Sequence, residues 1–166
     1  MIEPSEVKAR AEELEDANYE FRRFLKGRAD EDELDRQFLA LHNELFEHYD
    51  CSSCRNCCKE YAATMQEDEI EPIAELLQMP KDDFLKQCGL GDGEYTLQGT
   101  PCRFFLSDNT CQIEECKPQN CREYPFTNKP GRLSSLLGVM WSASVCPVVF
   151  EMVERLKKMY GFRNRW

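Results

Sequence analysis

The stretch Cys51-Ser52-Ser53-Cys54-Arg55-Asn56-Cys57-Cys58 sets four cysteines in a C-x2-C-x2-C-C pattern. A two-residue gap lets a tight turn aim two sulfurs at one ion, which is why C-x2-C units recur in metal sites. The C-x2-C-x2-C register also matches the run that wraps an iron–sulfur cluster in bacterial ferredoxins. That run ends in a fourth cysteine followed by proline; here Pro101-Cys102 and Cys146-Pro147 lie downstream instead. The stretch cannot complete a site alone. As one continuous helix it would put its thiols on a single ~120° arc, yet hold Cys51 and Cys58 about 10 Å apart along the axis, too far for one tetrahedral ion. Adjacent Cys57 and Cys58 are also expected to leave the backbone in different directions. Cys102, Cys111, Cys121 and Cys146 are the obvious suppliers of further ligands.

The rest of the composition decides how these thiols are read. Ten of the 166 residues are cysteine, far above ordinary usage. The charged, acidic stretch from Met1 to Phe21 has no apolar core of the kind a secretory signal carries. A cytoplasmic location is therefore expected, and there dense cysteines mean metal or redox chemistry more often than disulfides. A vicinal Cys57–Cys58 bridge would in any case be strained. Metal or iron–sulfur binding is the preferred reading, with disulfides and inert buried thiols behind it.

The hydrophobic share of 42% can build a core. No apolar run approaches the ~18 residues a membrane helix needs, so no membrane partner is expected. With 21 basic against 31 acidic side chains and a net charge of −10, a general electrostatic nucleic-acid binder is disfavoured too. Residues 101–166 carry a small basic surplus, read as solvated charges at helix ends.

Outward from the cluster, residues 5–49 read as two helices forming an N-terminal hairpin, here taken as a first domain, 1–50. Val7, Leu14, Phe21 and Leu25 lie near helical spacing, and Gly27 breaks the pattern. Asp30 with Glu33 has the form of a capping box. Leu34, Phe38, Leu41, Leu45 and His48 then make one stripe. The hairpin is expected to pack on the cysteine region, with a protein partner as its other use. Residues 51–166 are taken as the cysteine-cluster domain. Within it, 64–89 look helical, with Thr64 and Glu67 at the start, Pro72 in the first turn or at a break, and Cys88 on the apolar face of a short helix ended by Gly89. From Glu94 to Ser144 short strands and loops are expected, with Tyr95-Thr96-Leu97 and Arg103-Phe104-Phe105-Leu106 as strands. Pro147 to Tyr160 reads as a closing amphipathic helix with proline at its first position. The fold class is thus mainly α, with short irregular strands and loops organised by a metal or iron–sulfur site.

The cluster is followed by Pro101-Cys102-Arg103-Phe104-Phe105-Leu106, Cys111-Gln112-Ile113 and Lys117-Pro118-Gln119-Asn120-Cys121-Arg122-Glu123-Tyr124-Pro125-Phe126. In this order of cysteines and flanking residues the chain resembles the CxxCxxCC cysteine-cluster family, YkgJ-like zinc- or iron-chelating domains that include the cysteine-rich part of flagellin lysine N-methylases. The resemblance spans roughly residues 48–150. It departs at Glu114 and Lys117, where the family usually has Tyr and Arg. It implies metal binding through Cys51, Cys54, Cys57, Cys58, Cys102, Cys111, Cys121 and Cys146, with an iron–sulfur cluster favoured in the methylase relatives.

Other residues divide between chemistry and structure. Cys88 reads as a core thiol, and Cys116 as a spare thiol between two ligand candidates. His48 is expected to pack or cap rather than ligate, and His42 to be exposed. Arg103 and Arg122 neighbour thiolates and are candidates to donate hydrogen bonds to a bound cluster or to offset its charge. No catalytic Ser/His/Asp set is identifiable. The leading functional expectation is an iron–sulfur protein, with a [4Fe-4S] cluster, in electron transfer or redox sensing. A structural Zn2+ module for protein contacts comes next, and a relative or subunit of a protein N-methylase third.

Overall fold

Asp30 shows how the sequence sets its helices: its carboxylate accepts from Glu33 N at 2.9 Å and starts the helix that follows. In the computed structural model, which describes residues 1–163, the chain divides into two compact units. One joins Met1–Asp50 to the segment from Pro125 onward; the other is the continuous stretch Cys51–Tyr124. The C-terminal segment thus groups with the N-terminal helices, whereas the sequence reading attaches it to the cysteine domain.

The first unit holds α1 (Val7–Glu13), α2 (Glu15–Arg28), α3 (Glu31–Phe46) and two later helices, Leu136–Ala143 and Pro147–Met159. The stripe holds from Leu34 through Phe38 and Leu41 to Leu45, all buried, but not at His48, which lies past the end of α3 and is exposed. Phe21 and Leu25 of α2 are buried too, and fully burying each such side chain is worth about 1.5–3 kcal/mol. Gly27 does not break α2, which runs on to Arg28. Rather than closing a hairpin on each other, α2 and α3 pack chiefly on the later helices, α3 on Pro147–Met159 and α2 on Leu136–Ala143. Asp35 on α3 accepts from Gly131 N and Arg132 N, each at 2.8 Å, and so fixes the turn that leads into Leu136–Ala143.

That Leu136–Ala143 helix lies where loops were expected. Leu136, Val139, Met140 and Ala143 are buried while Leu137 and Trp141 are also apolar, so the segment shows no clean amphipathic stripe. The closing helix appears as expected, with Pro147 at its first position, where the missing amide proton costs nothing, and Cys146 at the N-cap. Among the described residues no single helix is long and apolar enough to cross a membrane.

The second unit is built from short pieces. In order they are α4 (Cys51–Cys54), α5 (Asn56–Glu60), β1 (Thr64–Met65), α6 (Glu67–Leu76), α7 (Lys81–Leu85), β2 (Cys88–Gly91), β3 (Glu94–Leu97), a 3-10 turn at Glu114–Cys116 and α8 (Gln119–Glu123). The remaining two helices of the first unit are therefore α9 (Leu136–Ala143) and α10 (Pro147–Met159). The strands form one antiparallel sheet in the order β1-β3-β2, with Thr64 opposite Thr96 and Cys88 opposite Leu97.

Several local expectations change here. Thr64 lies in β1, and α6 is capped instead by Gln66 and Glu69 in a reciprocal capping box. Pro72 sits inside α6, beyond its first turn. Cys88 opens β2 rather than extending α7, because Asp92 and Gly93, both with positive φ, close a two-residue hairpin between Gly91 and Glu94. Arg103–Leu106 is not a strand; Phe105 makes one isolated bridge with Cys111. The core of this unit is small: Met65, Ile70, Ile73, Phe84, Leu97, Phe104 and Ile113 fill its centre, with Phe84 and Phe104 stacked at 6.1 Å.

Candidate metal centre

The C-x2-C-x2-C-C stretch is two helices, not one. Arg55, at φ 54° and ψ 14°, takes the left-handed conformation between α4 and α5 and turns the chain. L side chains other than Gly, Asn and Asp seldom adopt it. The turn separates Cys51 and Cys54 from Cys57 and Cys58. Cys54 is buried, whereas Cys51 is exposed. On α5 the adjacent thiols do not diverge as the sequence reading expects: Cys57 Sγ and Cys58 Sγ lie 4.0 Å apart. At a Zn–S distance of about 2.3 Å the edge of a tetrahedron is about 3.8 Å, so this spacing fits two ligands of one ion.

The other thiols of this unit come from its loop-rich half. Cys102 N donates to Cys58 O at 2.8 Å, tying the buried Cys102 directly to α5. Asn109 Nδ2 donates to Ser53 O at 3.4 Å, tying the next loop to α4. Glu69 reaches across from the capping box, and its Oε1 accepts from Gln119 N at 2.6 Å, which anchors the start of α8 and with it Cys121. Cys111 is held at the Phe105 bridge. No disulfide joins any of the ten cysteines.

The thiols feel one another. Burial, and then the sulfurs of Cys102 and Cys58, push the Cys121 thiol up to about 12. Burial likewise raises Cys111, with the Ile113 amide and Lys117 pulling against it. Cys58 moves the other way, down to about 6: the hydrogen bond from Cys57 stabilises its thiolate, burial opposes, and Lys117 and Arg55 add positive charge. Cys121 therefore lies within electrostatic reach of Cys58, Cys102 and Cys111, with Cys57 beside Cys58. Among the described residues, no three Cys, His, Asp or Glu donors are drawn together closely enough to hold a single metal ion.

The charge beside these sulfurs comes from a residue the sequence reading passes over. Arg55 is 7% exposed; its Nε donates to Ser52 O at 3.1 Å and its Nη2 pairs with Glu114 Oε2 at 2.9 Å. Glu114 also pairs with Lys117 at 3.1 Å. These partners occupy the two positions at which the chain departs from the pattern it resembles. The signal for Arg55 is its place inside the cysteine stretch, but its burial comes from a partner 59 positions away. Arg103 and Arg122 are exposed, and Arg122 Nη1 donates to the Lys117 carbonyl.

The remaining candidates lie elsewhere. His48 is exposed, with 88% of its side chain accessible, so it does not pack in the core. His42 is half-buried, not exposed: it bonds Thr127 Oγ1 at 2.9 Å within the first unit, and burial lowers its pKa. Cys88 donates to Phe84 O at 3.7 Å, and burial raises its pKa. Cys116 is raised by burial and by Glu115. Cys146 sits at the N-cap of α10 in the first unit.

The donor set fits a thiolate-bound metal in kind: six of the eight sulfurs predicted to ligate are buried or half-buried in one unit, with Cys51 exposed beside them and cationic side chains at their edge. Short helices, a small sheet and this concentration of thiols define a cysteine-cluster protein. The chain belongs to the CxxCxxCC family, described as "Putative zinc- or iron-chelating domain", which matches residues 50–147. Metal binding is the activity that membership gives it. No curated protein matches the chain, and no solved structure does.

Proposed function

We propose that the protein holds an iron–sulfur cluster, a [4Fe-4S] centre in the simplest case, and uses it for electron transfer or redox sensing. The observation that supports this reading is the concentration of Cys57, Cys58, Cys102, Cys111 and Cys121, buried or half-buried in one unit, with Cys102 N bonded to Cys58 O at 2.8 Å. Partial exposure of Cys57, Cys58, Cys111 and Cys121 supports exchange of electrons with a partner. When bound, the cluster supplies one-electron chemistry; the chain orders the thiols, shields them partly from water and sets positive charge beside them. Cys51, Cys54 and Cys146 join these five as candidate ligands, of which a single [4Fe-4S] centre takes four.

One observation favours a second reading, a structural Zn2+ site, namely the 4.0 Å spacing of Cys57 and Cys58. Anaerobic purification followed by iron, zinc and acid-labile sulfide analysis separates the two. Iron and sulfide in equal amounts with visible absorption are expected. Stoichiometric zinc without sulfide overturns the iron–sulfur reading.

A further inference from the structure

We propose that Arg55 is the positioning residue of the thiol cluster: lodged between Ser52 of α4 and Glu114 of the loop that carries Cys111 and Cys121, it holds the two cysteine-bearing segments in register for one metal centre. This rests on the metal-binding reading, and adds to it the device that brings distant ligands together before metal arrives.

Three features converge on this residue. The turn between α4 and α5 needs a left-handed backbone, for which glycine or asparagine is the undemanding choice, yet the chain places a long cation there. A residue in a disfavoured conformation persists where the surrounding structure over-determines it, and the contacts of the Arg55 side chain are part of that surrounding. Those contacts are a buried guanidinium bonded on one side to Ser52 O and on the other to Glu114. Second, the two ends of this bridge belong to different ligand segments, with Cys51–Cys58 on one side and Cys111–Cys121 on the other. The planar fork of arginine suits a divided task of this kind better than the point charge of lysine. Third, the charge is sited for thiolates. Arg55 Nη2 lies 2.9 Å from Glu114 Oε2 on the stretch between Cys111 and Cys121, while its backbone stands between Cys54 and Cys57 in the chain.

The test uses the full chain with Arg55→Gln, Arg55→Lys, Glu114→Gln and the double variant Arg55→Gln/Glu114→Gln. In the metal-free protein, a short thiol-bridging reagent reports register through the yield of cross-links between residues 51–58 and 111–121, mapped by mass spectrometry. Zn2+ affinity is measured separately by competition with a chromophoric chelator. Arg55→Gln and Glu114→Gln are each expected to reduce cross-linking and weaken zinc about tenfold, the worth of one charge-assisted hydrogen bond. The double variant should lose less than the product of the two single losses, since the Arg55–Glu114 contact is common to both while the bond to Ser52 O and the pair with Lys117 are not, and Arg55→Lys should recover only part of the loss. Wild-type cross-linking in Arg55→Gln, or losses that multiply in the double variant, overturn the proposal. Should Arg55→Gln not fold, the exposed Glu114→Gln carries the same comparison. If wild-type protein binds no metal but the cross-link pattern behaves as expected, the metal reading fails and the role of Arg55 stands.

Discussion

Glu69 does two things with one carboxylate, and Glu69→Ala removes both. Its Oε2 accepts from Gln66 N at 2.9 Å at the head of α6, and its Oε1 accepts from Gln119 N at 2.6 Å at the head of α8. Losing the capping contact costs about 1 kcal/mol. A hydrogen bond to a charged acceptor is worth about 1.5–3 kcal/mol, and the lower end applies because the Gln119 end is exposed and water can replace the lost oxygen. Coupling between the two reduces the sum, giving about 2 kcal/mol. Amide exchange across α6 and α8 should then run about 30-fold faster wherever it proceeds by opening of the Cys51–Tyr124 unit. Cys121, whose thiol is held up to about 12 chiefly by burial, should become more reactive to alkylation as α8 loosens. Glu69→Gln keeps an acceptor without the charge and should fall between alanine and wild type. Exchange in Glu69→Ala within twofold of wild type, with unchanged Cys121 reactivity, would refute the double role.

Cys88→Ser should keep full metal content with a packing loss of about 1 kcal/mol, while Cys54→Ser should lose metal; equal metal loss in both sinks the assignment. In metal-free protein, alkylation of Cys58 should reach half its maximal rate near pH 6, and a midpoint above pH 8 contradicts the stabilised thiolate. Because the folded value lies below the unfolded one near 9, the contribution of Cys58 to metal-free stability is fully present above pH 9 and is lost as pH falls through 6. Cys146→Ser should lower metal content while protection of α10 persists, since serine caps a helix well; unchanged metal content removes Cys146 from the ligand set.

Parts of this fold are legible residue by residue. The Asp30 cap, the stripe from Leu34 to Leu45 and Pro147 at the head of α10 are local patterns, and local hydrogen bonding and burial enforce them. Cys88 is not legible in that way. Phe84, Leu85 and Cys88 follow helical spacing, but the Asp92-Gly93 turn two residues past Leu90 decides the matter by closing a hairpin. The helix α9 escapes because it is apolar on nearly every side, which leaves no period to read. At the candidate centre the cysteines announce themselves by spacing, whereas Arg55 and Glu69 depend on partners 59 and 50 positions away. Nothing local distinguishes Glu69 from the acidic residues around it.

The division of the chain also has a temporal meaning. The cysteine unit is an insert: its sequence is continuous, while the unit around it needs residues from both sides. During synthesis the stretch from Tyr124 to Pro147 takes on the order of 1–5 s to emerge. Through that interval α2 and α3 lack the helices they pack against, while Cys51 to Cys121 have already left the ribosome. Most of the thiols are thus available to metal while the helices of the other unit are still unpartnered, and the last proposed ligand, Cys146, emerges with the residues that complete that unit.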